Sequence, residues 1–125
     1  MQVGRPSHLF VYGTLRRGFS NKFARLLQSQ AQWIGDARMP GRLYQFGPYP
    51  GAVISNTSGE WVHGELYNLE DPDQLLSQLD EYEGDDYERA IAEVQTNAGD
   101  HIQAWVYVYR GKLKGIHIPS GEWRA

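Results

Sequence analysis

The chain contains no cysteine. That absence removes disulfide scaffolds, thiolate metal sites and cysteine nucleophiles at once. Long apolar runs are missing too, and no stretch approaches the ~20 apolar residues of a membrane helix. No apolar run follows Arg5 and Pro6, so a secretory leader is not expected and a cytoplasmic protein is the default reading. A basic excess is also lacking: 12 Lys and Arg stand against 15 Asp and Glu, a formal net charge of -3. That sign argues against a nucleic-acid partner. His8, His63, His101 and His117 fall at no metal-ligand spacing, so neither a metal nor another cofactor is expected. There is no G-x-S-x-G elbow, phosphate-binding P-loop or dinucleotide fingerprint. Asn56-Thr57-Ser58 matches a glycosylation sequon, which without a leader reads as a chance match.

What is present fits one domain over residues 1–125, long enough to bury roughly two-thirds of its unfolded surface. Fourteen glycines exceed the average usage of about 7%, a sign of many tight turns. His8 to Tyr12 is short, apolar and β-prone and ends at Gly13, which reads as a buried first strand. Phe23 to Leu27 offers a short helix with Ser20 or Asn21 as N-cap. Gln32 to Phe46 reads as two β-like stretches broken at Pro40-Gly41, and Tyr49-Pro50-Gly51 as a turn before Ala52-Val53-Ile54. Trp61 to Leu69 alternates like a strand. The strongest helix signal follows: Asp71 as N-cap, Pro72 in the first turn, Gln74 at the capping-box position, then Leu75, Leu76, Leu79 and Tyr82 before Gly84. Tyr87 to Gln95 and Ile102 to Tyr109 form an antiparallel pair around the turn Asn97 to Asp100. The second of these strands has apolar residues on both faces, as a central strand does. The class is α+β with a mixed or barrel-like sheet.

Two features carry chemistry. At 100° per residue, Glu83 falls about 80° from Leu75, inside the stripe that holds Leu79 and Leu76. Glu81 points to the opposite face and Asp80 sits on the flank. One carboxyl of an acidic cluster is thus aimed at the core, where burial would raise its pKa toward the range of a general acid/base. The alternative is that the helix ends by Tyr82 and Glu83 turns out, or that it pairs with Arg89. The second feature is Tyr12-Gly13-Thr14-Leu15 at the exit of the first strand. There a glycine lets backbone N–H groups converge on an anion, a small carboxylate being the natural guest. An ordinary turn is the other reading. The basic residues Arg16, Arg17, Lys22 and Arg25 nearby would either steer an acidic ligand or form a solvated face.

The order Leu9-Phe10-Val11-Tyr12-Gly13-Thr14-Leu15-Arg16, then Tyr49-Pro50-Gly51-Ala52, Val62-His63-Gly64-Glu65-Leu66-Tyr67, Leu79-Asp80-Glu81-Tyr82-Glu83-Gly84 and Tyr87-Glu88-Arg89 resembles the γ-glutamylcyclotransferase-like superfamily. The resemblance is to its AIG2-like and γ-glutamylamine cyclotransferase branch and spans about Leu9 to Tyr109. It implies a small mixed β-barrel with flanking short helices. It also implies a metal-independent reaction that converts a γ-glutamyl amine or amide into 5-oxoproline and a free amine. By the same resemblance, Tyr12, Gly13, Thr14 and Leu15 would bind the γ-glutamyl group and Glu83 would be the catalytic acid/base. Tyr87 and Arg89 follow the glutamate and take either a site role or a structural one in the next strand; Tyr107 is a candidate for a hydrogen bond in the cavity. The partner expected is a small γ-glutamyl substrate, with no nucleic acid and no membrane. The rival class is a non-catalytic protein that binds a small acidic metabolite on the same fold. Gly13 is then a ligand-facing glycine and Gly84 a helix end, while Gly41, Gly51 and Gly99 are read as turn glycines. Oligomeric state and the tail after Arg110 have no signature in the sequence.

Overall fold

A computed structural model describes residues 6–112 and 114–124. The stretch Met1–Arg5, part of what was read for a leader, lies outside the described residues. Among those residues no helix is long and apolar enough to cross a membrane.

The first strand, β1 (His8–Val11), is buried on both faces, and its alternation divides the molecule into two cores. Phe10 and the following Tyr12 join Met39, Leu43, Val62, Leu66 and Val106 in one cluster. Leu9 and Val11 join Leu27, Leu75, Leu79 and Tyr67 in another. Period-2 side-chain direction therefore sends one set of residues into a barrel and the other out beneath the helices. Each fully buried leucine in the second cluster stabilises the layer by roughly 1.5–3 kcal/mol.

The outer layer is two helices, α1 (Lys22–Gln30) and α2 (Pro72–Glu83). Asn21 caps α1, its side chain accepting a hydrogen bond from the Ala24 N–H at 2.9 Å. The helix runs three residues past the sequence expectation, to Gln30. Asp71 occupies the N-cap of α2 with Pro72 in the first turn, but makes no side-chain capping bond, so the capping box is not formed. Leu75, Leu76 and Leu79 are buried as their spacing requires, and Gly84, at φ 79°, ends the helix.

The remaining strands are β2 (Ala31–Phe46), β3 (Tyr49–Ile54), β4 (Trp61–Leu69), β5 (Tyr87–Thr96), β6 (His101–Tyr109) and β7 (Ile116–Ile118). β1, β4, β2, β3 and β6 close a five-stranded mixed barrel, parallel at β1–β6 and β3–β6 and antiparallel elsewhere. β5 pairs with β6 along its whole length and reaches β2 at Ala37 and Arg38. Since β5 fills one edge of β6, β1 and β3 share the other, meeting it at Trp105 and Val108. Tyr12 closes that seam. Its hydroxyl donates to the Tyr107 carbonyl at 2.5 Å and accepts the Ala52 N–H at 3.0 Å.

Two turn expectations are corrected. Pro40-Gly41 does not break the second β segment, because β2 is one strand of 16 residues. On one edge it pairs with β5 up to Arg38 and with β3 from Gly41. Pro40, which has no N–H to give, falls in the gap between partners. Tyr49-Pro50-Gly51 is strand, and the reversal lies at Gly47, with φ 59°. Gly41 and Gly51 are small for lack of space: an added Cβ would meet the Val53 carbonyl oxygen in one case and the Phe46 ring in the other.

Candidate active site

Where β1 and β3 separate along the edge of β6, the structure has a cavity of about 240 Å³. The end of β1 and the loop Gly13-Thr14-Leu15 form one wall, Tyr49 and Pro50 of β3 another. Tyr107 of β6 and Tyr87 of β5 also line it, and Tyr82 and Glu83 of α2 complete it.

The loop is held from several sides. The Asn21 side chain donates to the Thr14 carbonyl at 2.8 Å, and the hydroxyls of Thr14 and Tyr82 are 2.8 Å apart. Leu15 is anchored in the layer beneath the helices. An added Cβ at Gly13 would lie 2.9 Å from the Pro50 ring, so glycine keeps the loop close against β3. Tyr87 also acts on that wall, donating its hydroxyl to the Pro50 carbonyl at 2.6 Å.

Among the described residues, Glu83 is the only carboxyl lining the cavity, and no Lys, Arg or His lines it. The helix does not end before it, as one alternative had it: α2 runs through Glu83 and stops at Gly84. Burial pushes its pKa up from the ordinary 4.5 to about 7. Desolvation penalises the charged form, and among the described residues no cation offsets it. Burial also raises the Tyr12 and Tyr87 hydroxyls above their usual range, and the charge of Glu83 adds to both shifts.

Arg89 does not pair with Glu83. Its guanidinium takes Asp80 instead, with Nε 2.9 Å from Oδ1 and Nη2 3.3 Å from Oδ2, and lies over the Trp105 ring. It is outside the cavity lining. Tyr107 touches the cavity, but its hydroxyl donates to Asp80 Oδ1 at 2.7 Å. Its part is to fasten α2 to the barrel. Tyr12, Gly13, Thr14, Leu15, Glu83, Tyr87 and Tyr107 therefore share one cavity and Arg89 lies apart.

Sequence reasoning passed over Tyr49, Pro50 and Tyr82 as cavity residues. Tyr82 had a usable signal, since it precedes Glu83 on the same helical stripe. Tyr49 and Pro50 have one only in the resemblance of Tyr49-Pro50-Gly51-Ala52 to the family, since local turn chemistry does not point them at a cavity. Among the described residues no three His, Asp or Glu side chains come together in a way that could hold a metal ion.

A small mixed barrel under two helices carries one partly buried carboxyl, Glu83, facing a strand-exit loop. The family model "Gamma-glutamyl cyclotransferase, AIG2-like" matches residues 9–125, and the chain belongs to that family. The gamma-glutamylcyclotransferase family protein YtfP of Escherichia coli is 37% identical over 119 residues, covering 92% of this chain and 94% of its own. The solution structure of that protein superposes with a TM-score of 0.65 at 36% identity, over 93% of this chain and 95% of the other. An AIG2-like protein from Mus musculus has a TM-score of 0.67 at 30% identity, over 84% of this chain and 78% of its own. The gamma-L-glutamyl-butirosin B gamma-glutamyl cyclotransferase of Niallia circulans is 34% identical over 112 residues, covering 82% of this chain and 66% of that one.

Proposed function

We propose that the protein is a cyclotransferase that cleaves a γ-glutamyl amine or amide into 5-oxoproline and a free amine, with Glu83 as its acid/base. The observation that carries this reading is the lone carboxyl of the cavity, raised to about 7 by burial and facing the loop Tyr12-Gly13-Thr14-Leu15. Membership of the γ-glutamyl cyclotransferase family supports it. So does the likeness to the Niallia circulans relative, whose name is that of a cyclotransferase acting on a γ-glutamyl compound.

The chemistry balances without water or a cofactor. The carboxylate of Glu83 takes a proton from the substrate's α-ammonium, and the freed amine attacks the γ-carbonyl carbon of the same molecule. A five-membered ring forms, and the carboxylic acid passes its proton to the leaving nitrogen as the bond from the γ-carbon breaks. The regenerated carboxylate then takes the second proton from the ring nitrogen and hands it to the free amine, so that two protons leave the α-ammonium and two arrive on the product ammonium. A group with a pKa near the working pH serves both transfers. The nucleophile is intramolecular, so the site's main task is to hold a folded conformer of the γ-glutamyl chain. Main-chain N–H groups of the loop receive the α-carboxylate, with no cationic side chain among the described lining residues to compete.

The rival reading, a non-catalytic binder of a small acidic metabolite, would gain if Arg89 neutralised Glu83. Arg89 is engaged by Asp80 instead. The test is to incubate the protein with γ-glutamyl amines, γ-glutamyl dipeptides and glutathione and to measure released 5-oxoproline. At least one substrate is expected to turn over, with Glu83→Gln slower by about 10²–10⁴-fold. Full activity in Glu83→Gln would sink the role given to this residue, and no turnover across the panel would favour the binder.

A further inference from the structure

An arginine beside a carboxylate-binding loop is ordinarily expected to touch the ligand. Arg16 does not line the cavity, and its guanidinium instead donates to two main-chain carbonyls. Its Nε donates to the Gly13 carbonyl at 3.1 Å and its Nη2 to the Trp123 carbonyl at 2.9 Å. The Arg16 N–H also donates to the Gly13 carbonyl at 3.1 Å. The guanidinium lies 5.4 Å from the Phe19 ring centroid and 5.7 Å from that of Trp123, and those two rings stack on each other.

The far end of this bridge is fixed by the carboxy-terminal segment. β7 pairs with β2, and the chain then turns so that the Gly121 carbonyl accepts the His63 N–H of β4 at 2.8 Å. Gly121 has φ 69° and lies so close to the Trp61 carbonyl that no side chain fits there. Trp123, 4% exposed, packs among the barrel residues and donates its indole N–H to Gln45 Oε1 at 2.8 Å. Its carbonyl is thereby a rigid anchor for Arg16.

The consequence for the loop follows from peptide geometry. There is no cis bond among the described residues, and in a trans peptide the carbonyl and the next N–H point opposite ways. Holding the Gly13 carbonyl toward Arg16, away from the cavity, turns the Thr14 N–H toward the cavity that both residues line. We propose that Arg16 is a positioning residue, anchored by the segment Ile118 to Trp123, that orients the Gly13–Thr14 peptide to receive the substrate's α-carboxylate. This rests on the cyclotransferase reading above. It gives the tail after Arg110 a function and separates Arg16 from its basic neighbours.

Lysine keeps the charge but cannot fork to two carbonyls. Arg16→Lys is therefore expected to raise KM roughly tenfold, the loss of a charge-assisted hydrogen bond, with kcat within about threefold of wild type. Arg17→Gln, which removes a neighbouring exposed charge, is expected to leave KM within about twofold. Both are assayed by 5-oxoproline release from the best substrate of the panel, with a thermal melt of each variant. A general loss of folded protein would lower kcat and spare KM; that pattern in Arg16→Lys overturns the proposal. So does an unchanged KM in Arg16→Lys, or a KM rise in Arg17→Gln equal to that in Arg16→Lys, which would make the effect one of charge. If wild type releases no 5-oxoproline from any substrate, the cyclotransferase reading falls and the positioning role falls with it.

Discussion

Asp80 and Glu83 lie one turn apart on α2, and the two carboxyls have opposite fates. Asp80 faces β5 and β6, where it accepts the Arg89 guanidinium and the Tyr107 hydroxyl. Glu83 faces the cavity, takes no ion pair among the described residues, and is pushed up to about 7. The same short stretch of helix thus holds a paired acid that secures it to the barrel and an acid facing the cavity to which we assign the proton transfers. Neighbours, not residue type, divide the labour.

The largest effect expected on this contrast comes from removing the unpaired acid. A carboxyl whose folded pKa exceeds its unfolded value holds its proton more tightly when folded, so stability falls as pH rises from about 4.5 to about 7. Above that window the full cost of the buried charge is present; below it the cost vanishes. Glu83→Gln should therefore be more stable than wild type at pH 8 by on the order of 3 kcal/mol, and equal to it near pH 4. Urea unfolding at both pH values measures this. A variant that is no more stable at pH 8 would show that the charge is well solvated. Asp80→Ala has the opposite sign. It removes the shorter hydrogen bond of the Tyr107 hydroxyl, leaving the Leu76 carbonyl at 3.5 Å, frees Arg89, and should cost about 1–3 kcal/mol at pH 7 in the same measurement. If stability is unchanged, the Asp80 cluster is ornamental and α2 is held by its leucines alone.

How far this contrast could be read in advance depends on what sets each part. Glu83 was legible because helical periodicity alone places it in the stripe of Leu76 and Leu79. The same periodicity left Asp80 on the flank and was silent on its partner. Arg89 was equally available to either acid in one dimension, and only the pairing of β5 with β6 settles the choice. Strands with unbroken alternation, such as β4 and the β5–β6 hairpin, are visible as alternating segments. β2 was misjudged where it exchanges β5 for β3, because a proline at a change of partner has the local chemistry of a break. The tail was unreadable for a similar reason. Its meaning lies in where Trp123 lands, which is a property of the closed barrel.

The smallest effect is the most discriminating. The raised pKa of Glu83 comes from burial, while Asp80 and Arg89 form an ion pair about one turn away. Removing either partner should unmask the other's charge about one turn from the cavity. Arg89→Leu leaves a negative charge beside Glu83 and raises its pKa further; Asp80→Asn leaves a positive one and lowers it. At that separation in a largely solvated setting, each shift is about half a pH unit. If Glu83 works first as a base, 5-oxoproline release rises with pH through a midpoint near 7. That midpoint should then move up in Arg89→Leu and down in Asp80→Asn. Equal movement in one direction would mean that both variants act by loosening the helix. Opposite movement shows that the paired acid is kept neutral in effect so that its neighbour can titrate alone.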